Sequence, residues 1–370
     1  VIGATVTAGT LNITDSDGGG IGLGDTTVLG GLNVSALELQ EITTTTLMEL
    51  ITAGAVTVHG ITAINSNTVN TLTIDAVGAI TFANNQSTFN ALTVESNVAV
   101  NADVNITTDV GALAIDADAE NATTGLLTVA AGVTLTSAAG ITLDATTGGI
   151  TFTGVGTLNA VNGVTINDAV TATAGTLTID ADTDDNGGVF TTAATGTINS
   201  AGQTLDITAS DVVIGATIAA ATLNITDSVG AAGGIGLGDQ TVGTFQLSGT
   251  ELQLITTTTL MELITAGNVT VDNITAADSN NVTNLTIDAV GVITFEAAKS
   301  TFNALNVEAD GAVFANVDIE TDVGALLIDA DDDNAAGAAT NLLTVAAGVT
   351  LTSAAGITLD ATTGGITFTG

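Results

Sequence analysis

Residues 126–154 read LLTVAAGVTLTSAAGITLDATTGGITFTG, and the same twenty-nine residues recur 216 positions later as residues 342–370. Other stretches recur at a similar distance: TTTTLMELITAG begins at Thr43 and Thr256, and VIGAT begins at Val1 and Val213. A long period of 212 to 216 residues is typical of a tandem array of structural repeats. We assign residues 1–212 to a first long repeat and residues 213–370 to a second, incomplete one. Because 370 residues hold fewer than two periods, we expect this sequence to be a window on a longer array.

Short segments within each repeat alternate apolar and polar residues, as in GVTLTS (132–137), GITLDA (140–145) and TLTID (176–180). This alternation predicts half-buried strands, and the Gly, Asn and Asp residues between them suit tight corners. Leucines of the recurring strand motif are separated by 61, 41, 64, 46, 62 and 41 residues, mostly near multiples of 20 to 21; they are Leu11, Leu72, Leu113, Leu177, Leu223, Leu285 and Leu326. The sequence therefore predicts an all-β parallel β-helix, or β-solenoid, with coils of about 20 residues.

Two details of this fold can be predicted locally. Residues 38–54 (ELQEITTTTLMELITAG) are expected to form a strand, with room for one helical turn. The aromatic residues recur at fixed phase, which predicts inward-facing phenylalanines that each stack on smaller residues; these are Phe82, Phe89 and Phe152, repeated as Phe295, Phe302 and Phe368.

The competing all-β arrangement is a string of immunoglobulin-like sandwiches of about 105 residues each. The absence of tryptophan, tyrosine and proline disfavours it, because such sandwiches use a core tryptophan and a tyrosine corner.

The composition restricts the function. The chain has 39 Asp and Glu residues against one lysine and no arginine, giving a formal charge of −38, and this excludes electrostatic attraction to nucleic acid. Cysteine is absent and histidine occurs once, so thiolate catalysis, Cys/His zinc sites and Ser/His/Asp hydrolysis lack their residues. We expect no enzymatic activity. The longest stretch without a polar side chain, residues 229–238, is too short for a transmembrane helix.

Acidic turns are the most distinctive chemical feature. Their closely spaced carboxylates and amides are ligands that calcium accepts, so we predict calcium in at least one turn. The candidate ligands are Asp116 and Asp118 in DADAEN (116–121), Asp180, Asp182, Asp184 and Asn186 in DADTDDN (180–186), and Asp329, Asp331 and Asp333 in DADDDN (329–334). The alternative is that these turns are solvated corners that keep the protein soluble.

The spacing of these turns departs from known calcium loops. Asp185 stands where an EF-hand has glycine, and Thr191 stands where it has glutamate. A second candidate, GGIGLGD at residues 19–25 and 233–239, is similar to the glycine-rich calcium nonapeptide of toxin solenoids, but its Asp comes one position late.

The motifs GITLDATTGGITFTG and LLTVAAGVTLTSAAG resemble the "beta strand repeat" regions of giant bacterial surface proteins and of filamentous-haemagglutinin-like β-solenoid adhesins. The resemblance covers the whole chain and depends on composition and repeat texture. It implies secretion, a right-handed parallel β-helix and a structural or adhesive role at the cell surface.

These observations predict a non-enzymatic structural protein of an extracellular fibre, sheath or surface layer built from tandem β-solenoid repeats. The alternative is the stalk of a large bacterial adhesin whose binding domain lies outside this window; a third interpretation is a surface-layer protein that needs calcium. We expect self-association end to end or laterally, because the chain has no proline and only one lysine to blunt exposed strand edges. Divalent cations are possible partners, as are glycans on Asn-x-Ser/Thr sites such as Asn33 and Asn281.

Overall fold

The computed structural model describes residues 2–26, 31–121, 125–230, 233–239, 243–333, 341–362 and 364–370. The chain divides into two compact units: the first contains Val1–Asp184 and Thr191–Asn199, and the second contains Asp185–Phe190 and Ser200–Gly370. The predicted boundary between the two long repeats, after residue 212, describes where the sequence starts to recur. The division into two compact units does not test that boundary.

The first unit consists of short strands joined by turns. In chain order they are β1 (Val6–Asp15), β2 (Ile21–Gly24), β3 (Leu32–Val34), β4 (Ile42–Thr52), β5 (Val56–His59), β6 (Leu72–Ala76), β7 (Ile80–Phe82), β8 (Ser87–Phe89), β9 (Leu92–Ser96), β10 (Ala99–Ala102), β11 (Ile106–Thr108), β12 (Leu113–Asp116), β13 (Leu126–Val129), β14 (Thr134–Ser137), β15 (Ile141–Asp144), β16 (Ile150–Phe152), β17 (Gly156–Ala160), β18 (Val164–Ile166), β19 (Val170–Ala172) and β20 (Leu177–Asp180). Two further strands, β21 (Val189–Thr192) and β22 (Ile198–Ala209), contain residues of both units.

These strands form three parallel stacks. One stack is β1-β4-β6-β9-β12-β15-β18, the second is β3-β2-β5-β7-β10-β13-β16-β19, and the third is β8-β11-β14-β17-β20. Most parallel neighbours come from successive coils, because a parallel pair needs a long connection between its strands. The pairs β2–β3 and β25–β26 are exceptions, since their partners Ile21 and Leu32, and Ile235 and Phe245, are only eleven and ten residues apart. The predicted parallel β-helix is therefore confirmed.

The second unit has the same construction. Its strands are β23 (Asp211–Ile214), β24 (Ile218–Asp227), β25 (Ile235–Gly238), β26 (Phe245–Leu247), β27 (Ile255–Thr265), β28 (Val269–Asp272), β29 (Leu285–Ala289), β30 (Ile293–Phe295), β31 (Ser300–Phe302), β32 (Leu305–Ala309), β33 (Val313–Ala315), β34 (Ile319–Thr321), β35 (Leu326–Asp329), β36 (Leu343–Val345), β37 (Leu351–Ser353), β38 (Ile357–Asp360) and β39 (Ile366–Phe368). Its stacks are β24-β27-β29-β32-β35-β38, β26-β25-β28-β30-β33-β36-β39 and β31-β34-β37.

The shortest coils have the predicted length, and others are longer. Ile80 pairs with Val100, twenty residues on, and Val100 pairs with Leu127, twenty-seven residues on. Leu11 pairs with Met48, thirty-seven residues on. The additional residues lie in the corners, because each strand keeps its pairing partner in the next coil while the connection between strands varies.

Among the described residues, four short α-helices lie in corners between strands: α1 (Ala36–Gln40), α2 (Ala63–Ser66), α3 (Gly249–Leu252) and α4 (Ala276–Ser279). Helix α1 begins with a capping box in which Ser35 accepts the backbone N–H of Glu38 and the Glu38 carboxylate accepts that of Ser35. Within residues 38–54 the prediction is thus confirmed on both points: a helical turn ends at Gln40, and β4 then runs from Ile42 to Thr52.

The interior is filled by alternate strand residues from all three stacks. Phe82 is fully buried and lies between Val58 and Ala102 of the neighbouring coils. Phe295 has the equivalent position between Val271 and Ala315. A large ring stacked between two smaller side chains fills a narrow core without voids, and the predicted inward phenylalanine ladder is confirmed at these positions.

Candidate functional site

Each predicted acidic turn begins with an Asp-Ala-Asp corner. In the first, Asp116 ends β12, and the side chains of Ala117 and Asp118 are fully buried. Asp116 Oδ1 accepts the backbone N–H of Asp118 at 3.0 Å, which is an Asx turn. The hydroxyl of Thr147 donates to Asp118 Oδ2 at 2.7 Å. The corner therefore has a structural use for both carboxylates, since one accepts the backbone N–H of Asp118 and the other accepts the hydroxyl of Thr147.

The other two corners repeat this arrangement. Asp180 Oδ1 accepts the backbone N–H of Asp182 at 3.2 Å, and Asp329 Oδ1 accepts that of Asp331 at 3.0 Å. Asp182 and Asp331 are both buried. Asn341 donates through Nδ2 to Asp331 Oδ1 at 3.0 Å.

The remaining predicted ligands are on the surface. Asp184, Asn186 and Asp333 are exposed, Asp184 belongs to the first unit, and Asn186 belongs to the second. Asn334, the last residue of DADDDN, lies outside the described residues. The structure thus brings together the first and third residue of each motif, while calcium binding at these turns stays a prediction.

A row of carboxylates on the outer surface of the first unit was not predicted. Asp75 of β6 pairs in register with Glu95 of β9, Glu95 with Asp116 of β12, and Asp116 with Asp144 of β15. All four residues are half-buried, and adjacent strands lie about 4.8 Å apart. We call these four residues the first carboxylate ladder.

The second unit carries an equivalent second carboxylate ladder, Asp288, Glu308, Asp329 and Asp360. Glu262 lies beside it, and carboxylate oxygens of Glu262, Asp288 and Glu308 all lie within 4.8 Å of one another. The chain's single lysine, Lys299, instead forms an ion pair with Glu320.

Because carboxylates of neighbouring strands lie next to one another in the two ladders, they change one another's pKa values. Burial, together with the neighbouring carboxylates of Asp75 and Asp116, raises the pKa of Glu95 above its ordinary value. In the second ladder, burial and the carboxylates of Glu308 and Glu262 raise the pKa of Asp288. Both causes disfavour the charged form, so these two carboxylates hold a proton more readily than they would in the unfolded chain.

A large shift of the same kind belongs to Asp168. This buried residue lies at the end of the first ladder, where its carboxyl group shares a hydrogen bond with Asp144 and its Oδ2 accepts the backbone N–H of Ala145 at 3.2 Å. Burial and the adjacent Asp144 raise the pKa of Asp168 from 3.8 to about 6. Two carboxyl groups in contact hold one proton between them more readily than they hold two charges.

The side-chain amide of Asn224 lies next to Glu262, the acidic residue beside the second carboxylate ladder. Asn224 of β24 pairs in register with Glu262 and donates through Nδ2 to Asp206 Oδ1 at 2.8 Å. Its Oδ1 is buried and accepts no hydrogen bond. Asn224 thus lies between two acidic side chains, which offer its amide oxygen no donor while they remain ionised.

The glycine-rich motif has a structural explanation. Gly24 has φ of +88°, and a Cβ atom there would lie 2.0 Å from the carbonyl oxygen of His59 in the next coil. In the second copy Asp239, the acidic residue of the motif, accepts a hydrogen bond at 2.6 Å from Asn273. The glycine therefore permits the close approach of two coils, and the partial match to a calcium nonapeptide is not needed to account for it.

A sequence signal for the ladders exists. The acidic residue follows the same apolar alternation in LTIDA (72–76), LTVES (92–96), LAID (113–116) and ITLD (141–144). Four acids at one strand position would stack if the four strands were neighbours in register. The coil lengths vary, however, so the sequence alone does not show which strands are neighbours.

None of the helices among the described residues has both the length and the apolar character needed to cross a membrane. Comparisons of the chain with protein-family models, with curated proteins and with solved structures give no match.

Proposed function

We propose that the chain is a non-enzymatic structural protein, a stacking segment of an extracellular fibre, sheath or surface layer. The observation that carries the proposal is the in-register parallel pairing of coil after coil within each unit. Such a fold gains stability mainly from contacts between adjacent coils, so it can be extended by adding further repeats. The exact recurrence of residues 126–154 as 342–370 suits that use.

The surface chemistry supports an extracellular structural role in preference to a catalytic one. The outer surface carries carboxylates in registered rows, and the sequence supplies one histidine, one lysine and no cysteine. General acid–base and nucleophilic catalysis depend on titrating groups with distinct roles placed against one another. A uniformly acidic, repeating surface instead suits solubility and the binding of counter-cations.

Immunogold labelling of intact source cells with antibodies raised against this chain tests the proposal. We expect label along a continuous extracellular fibre, sheath or layer. Label confined to scattered projections, each ending in a distinct tip domain, would favour the adhesin stalk. Label inside the cell would overturn both interpretations.

A further inference from the structure

Over residues 126–179 of the first unit, charged side chains occur only at the first stack. The sequence of this stretch contains two charged residues, Asp144 and Asp168. Asp144 ends β15, and Asp168 comes shortly after β18; both strands belong to the first stack. The outward side chains that the second and third stacks contribute from this stretch are therefore uncharged, in a chain whose net charge is −38.

This uncharged surface consists of registered rows of hydroxyl and amide side chains. In the second stack, Thr151 of β16 pairs with Thr128 of β13 on one side and with Thr171 of β19 on the other. These side chains point outward and are half-buried or exposed, because successive strand residues alternate between the interior and the surface. The rows of the third stack are Thr134, Thr157 and Thr178, and Thr136 with Asn159.

An apolar side chain lies at the centre of this surface. Val155 is in the corner between β16 and β17, in the middle coil, and it is 52% exposed. The adjacent coils have glycines here: the backbone N–H of Gly132 donates to the carbonyl oxygen of Val155 at 2.7 Å, and a Cβ atom on Gly175 would lie 2.7 Å from Val155 Cγ2. Neither glycine covers the valine. We call Val155 and the rows of the second and third stacks beside it the Val155 face; Asp180, at the end of β20, borders it.

The outward residues of two of these coils are unchanged where the sequence repeats. Residues 126–154 and 342–370 are identical at every position, including outward positions such as Thr151. In the preceding coil an outward residue differs between the copies, since Thr107 of β11 corresponds to Glu320 of β34. Packing of the interior does not restrict outward side chains, so their retention indicates that the surface itself is used.

We propose that the Val155 face of one copy of this chain packs against the Val155 face of a second copy. This inference rests on the proposed function and names the partner and the surface. Two copies that each carry −38 repel one another wherever their carboxylates meet, and pairing these two faces brings no carboxylate rows together. Because both partners use the same face, the contact is isologous and closes at a dimer.

The size of the Val155 face indicates a weak contact. Its three coils lie about 4.8 Å apart, and nine residues of one coil, such as 151–159, span at most about 30 Å, so the face measures at most about 450 Å². A standard stable interface buries about 800 Å² per partner. We therefore expect dimers at high protein concentration, and more of them in about 0.5 M NaCl, where screening limits the range of repulsion between the remaining charges to about 4 Å.

Disulfide cross-linking tests the proposal, because the chain has no cysteine of its own. Val155→Cys places a single thiol at the centre of the Val155 face, where a two-fold contact brings it next to the same residue of the partner copy. With diamide as the oxidant, we expect Val155→Cys to form at least about tenfold more disulfide-linked dimer than Val77→Cys, since a disulfide requires Cα atoms within about 7 Å. Val77 is the matched control: it is 49% exposed and directly follows β6, a strand of the first carboxylate ladder.

Sedimentation velocity of glutamate variants of the 370-residue chain gives a second measurement. We expect Val155→Glu to weaken dimerisation at least about tenfold, because it places two carboxylates within the contact, and Val77→Glu to dimerise like the wild type; circular dichroism checks that each variant folds. A wild-type chain that stays monomeric at millimolar concentration and high salt overturns the inference, and so does equal cross-linking of the two cysteine variants. Oligomers that Val155→Glu leaves unchanged also overturn it, but they leave the proposed structural function intact, which immunogold labelling tests separately.

Discussion

At the scale of single residues, the unusual feature is a carboxyl group that gains a proton on folding. Asp168 is buried against Asp144, and its pKa is raised from 3.8 to about 6. A raised carboxyl pKa means that the folded state binds more protons than the unfolded state between these two values. The free energy of unfolding therefore falls as the pH rises through this window. Glu95, Asp116, Asp288 and Asp329 have pKa values raised in the same direction.

Stability should therefore be greater at mildly acidic than at neutral pH. We expect a higher melting temperature at about pH 5 than at about pH 7.5. Hydrogen bonds from the backbone of Ser35 and Ile2 lower the pKa of Glu38 to about 2, so stability should decrease again as the pH falls below the ordinary carboxyl range. Calorimetry across pH 3 to 8 measures the curve, and a melting temperature that rises steadily towards pH 8 would contradict it.

The variant Asp168→Asn isolates the contribution of that residue. An amide oxygen can still accept the backbone N–H of Ala145, and the neutral side chain removes the cost of a second charge next to Asp144. We expect the dependence of melting temperature on pH between about 4 and 6.5 to become shallower. Asp103→Asn, at an exposed position, makes the same change in net charge and should leave the slope unchanged.

Cations that bind at the second carboxylate ladder should stabilise the folded state, as protons do. Oxygens of Glu262, Asp288 and Glu308 lie within 4.8 Å of one another, and calcium prefers oxygen ligands of this type. We predict that millimolar calcium raises the melting temperature of the wild type and that Asp288→Asn reduces this response. Asp272→Asn is the control for charge. If calcium raises the melting temperatures of Asp288→Asn and Asp272→Asn equally, the increase comes from general screening of charge and not from binding at the ladder.

At the scale of secondary-structure elements, the sequence is most restricted where the backbones of two adjacent coils lie very close together. Gly24 combines φ of +88° with a carbonyl oxygen 2.0 Å from its hypothetical Cβ, whereas Gly132 has φ of +79° and open space around it. We expect Gly132→Ala to cost about 1 kcal/mol from backbone strain alone. Gly24→Ala should cost about 2 kcal/mol more, because a coil must also move.

Chemical denaturation of the two glycine variants measures this difference. The twin substitution Gly238→Ala repeats the test, since its Cβ would lie 1.9 Å from the carbonyl oxygen of Asp272. Equal losses in Gly24→Ala and Gly132→Ala would show that the coils can separate at no cost.

The elements differ in how far the sequence predicts them. The strands follow from period-two alternation, because one side of every strand is buried. The corner helices could also be found, since Ser35-x-x-Glu38 and Ser248-x-x-Glu251 are capping-box sequences. The carboxylate ladders could not, because they depend on which strands are neighbours, and corners of variable length separate the coils.

At the scale of the whole molecule, the net charge of −38 opposes folding. A chain with 39 acidic residues and one lysine folds against its own repulsion, and folding brings carboxylates from distant parts of the sequence into registered rows. The unfolded chain keeps these charges further apart. Screening should therefore stabilise the folded state more than the unfolded state.

We predict that the melting temperature rises as NaCl increases from about 0.02 to 0.5 M, over which the Debye length falls from about 20 Å to about 4 Å. Measuring at two protein concentrations separates screening within one molecule from association, because only association makes the melting temperature depend on protein concentration. Repeating the series at about pH 4 supplies the control, since protonated ladders leave less repulsion to screen. A salt response of equal size at both pH values would show that the carboxylates are not its source, and the effect would then have to come from stronger burial of apolar surface in salt.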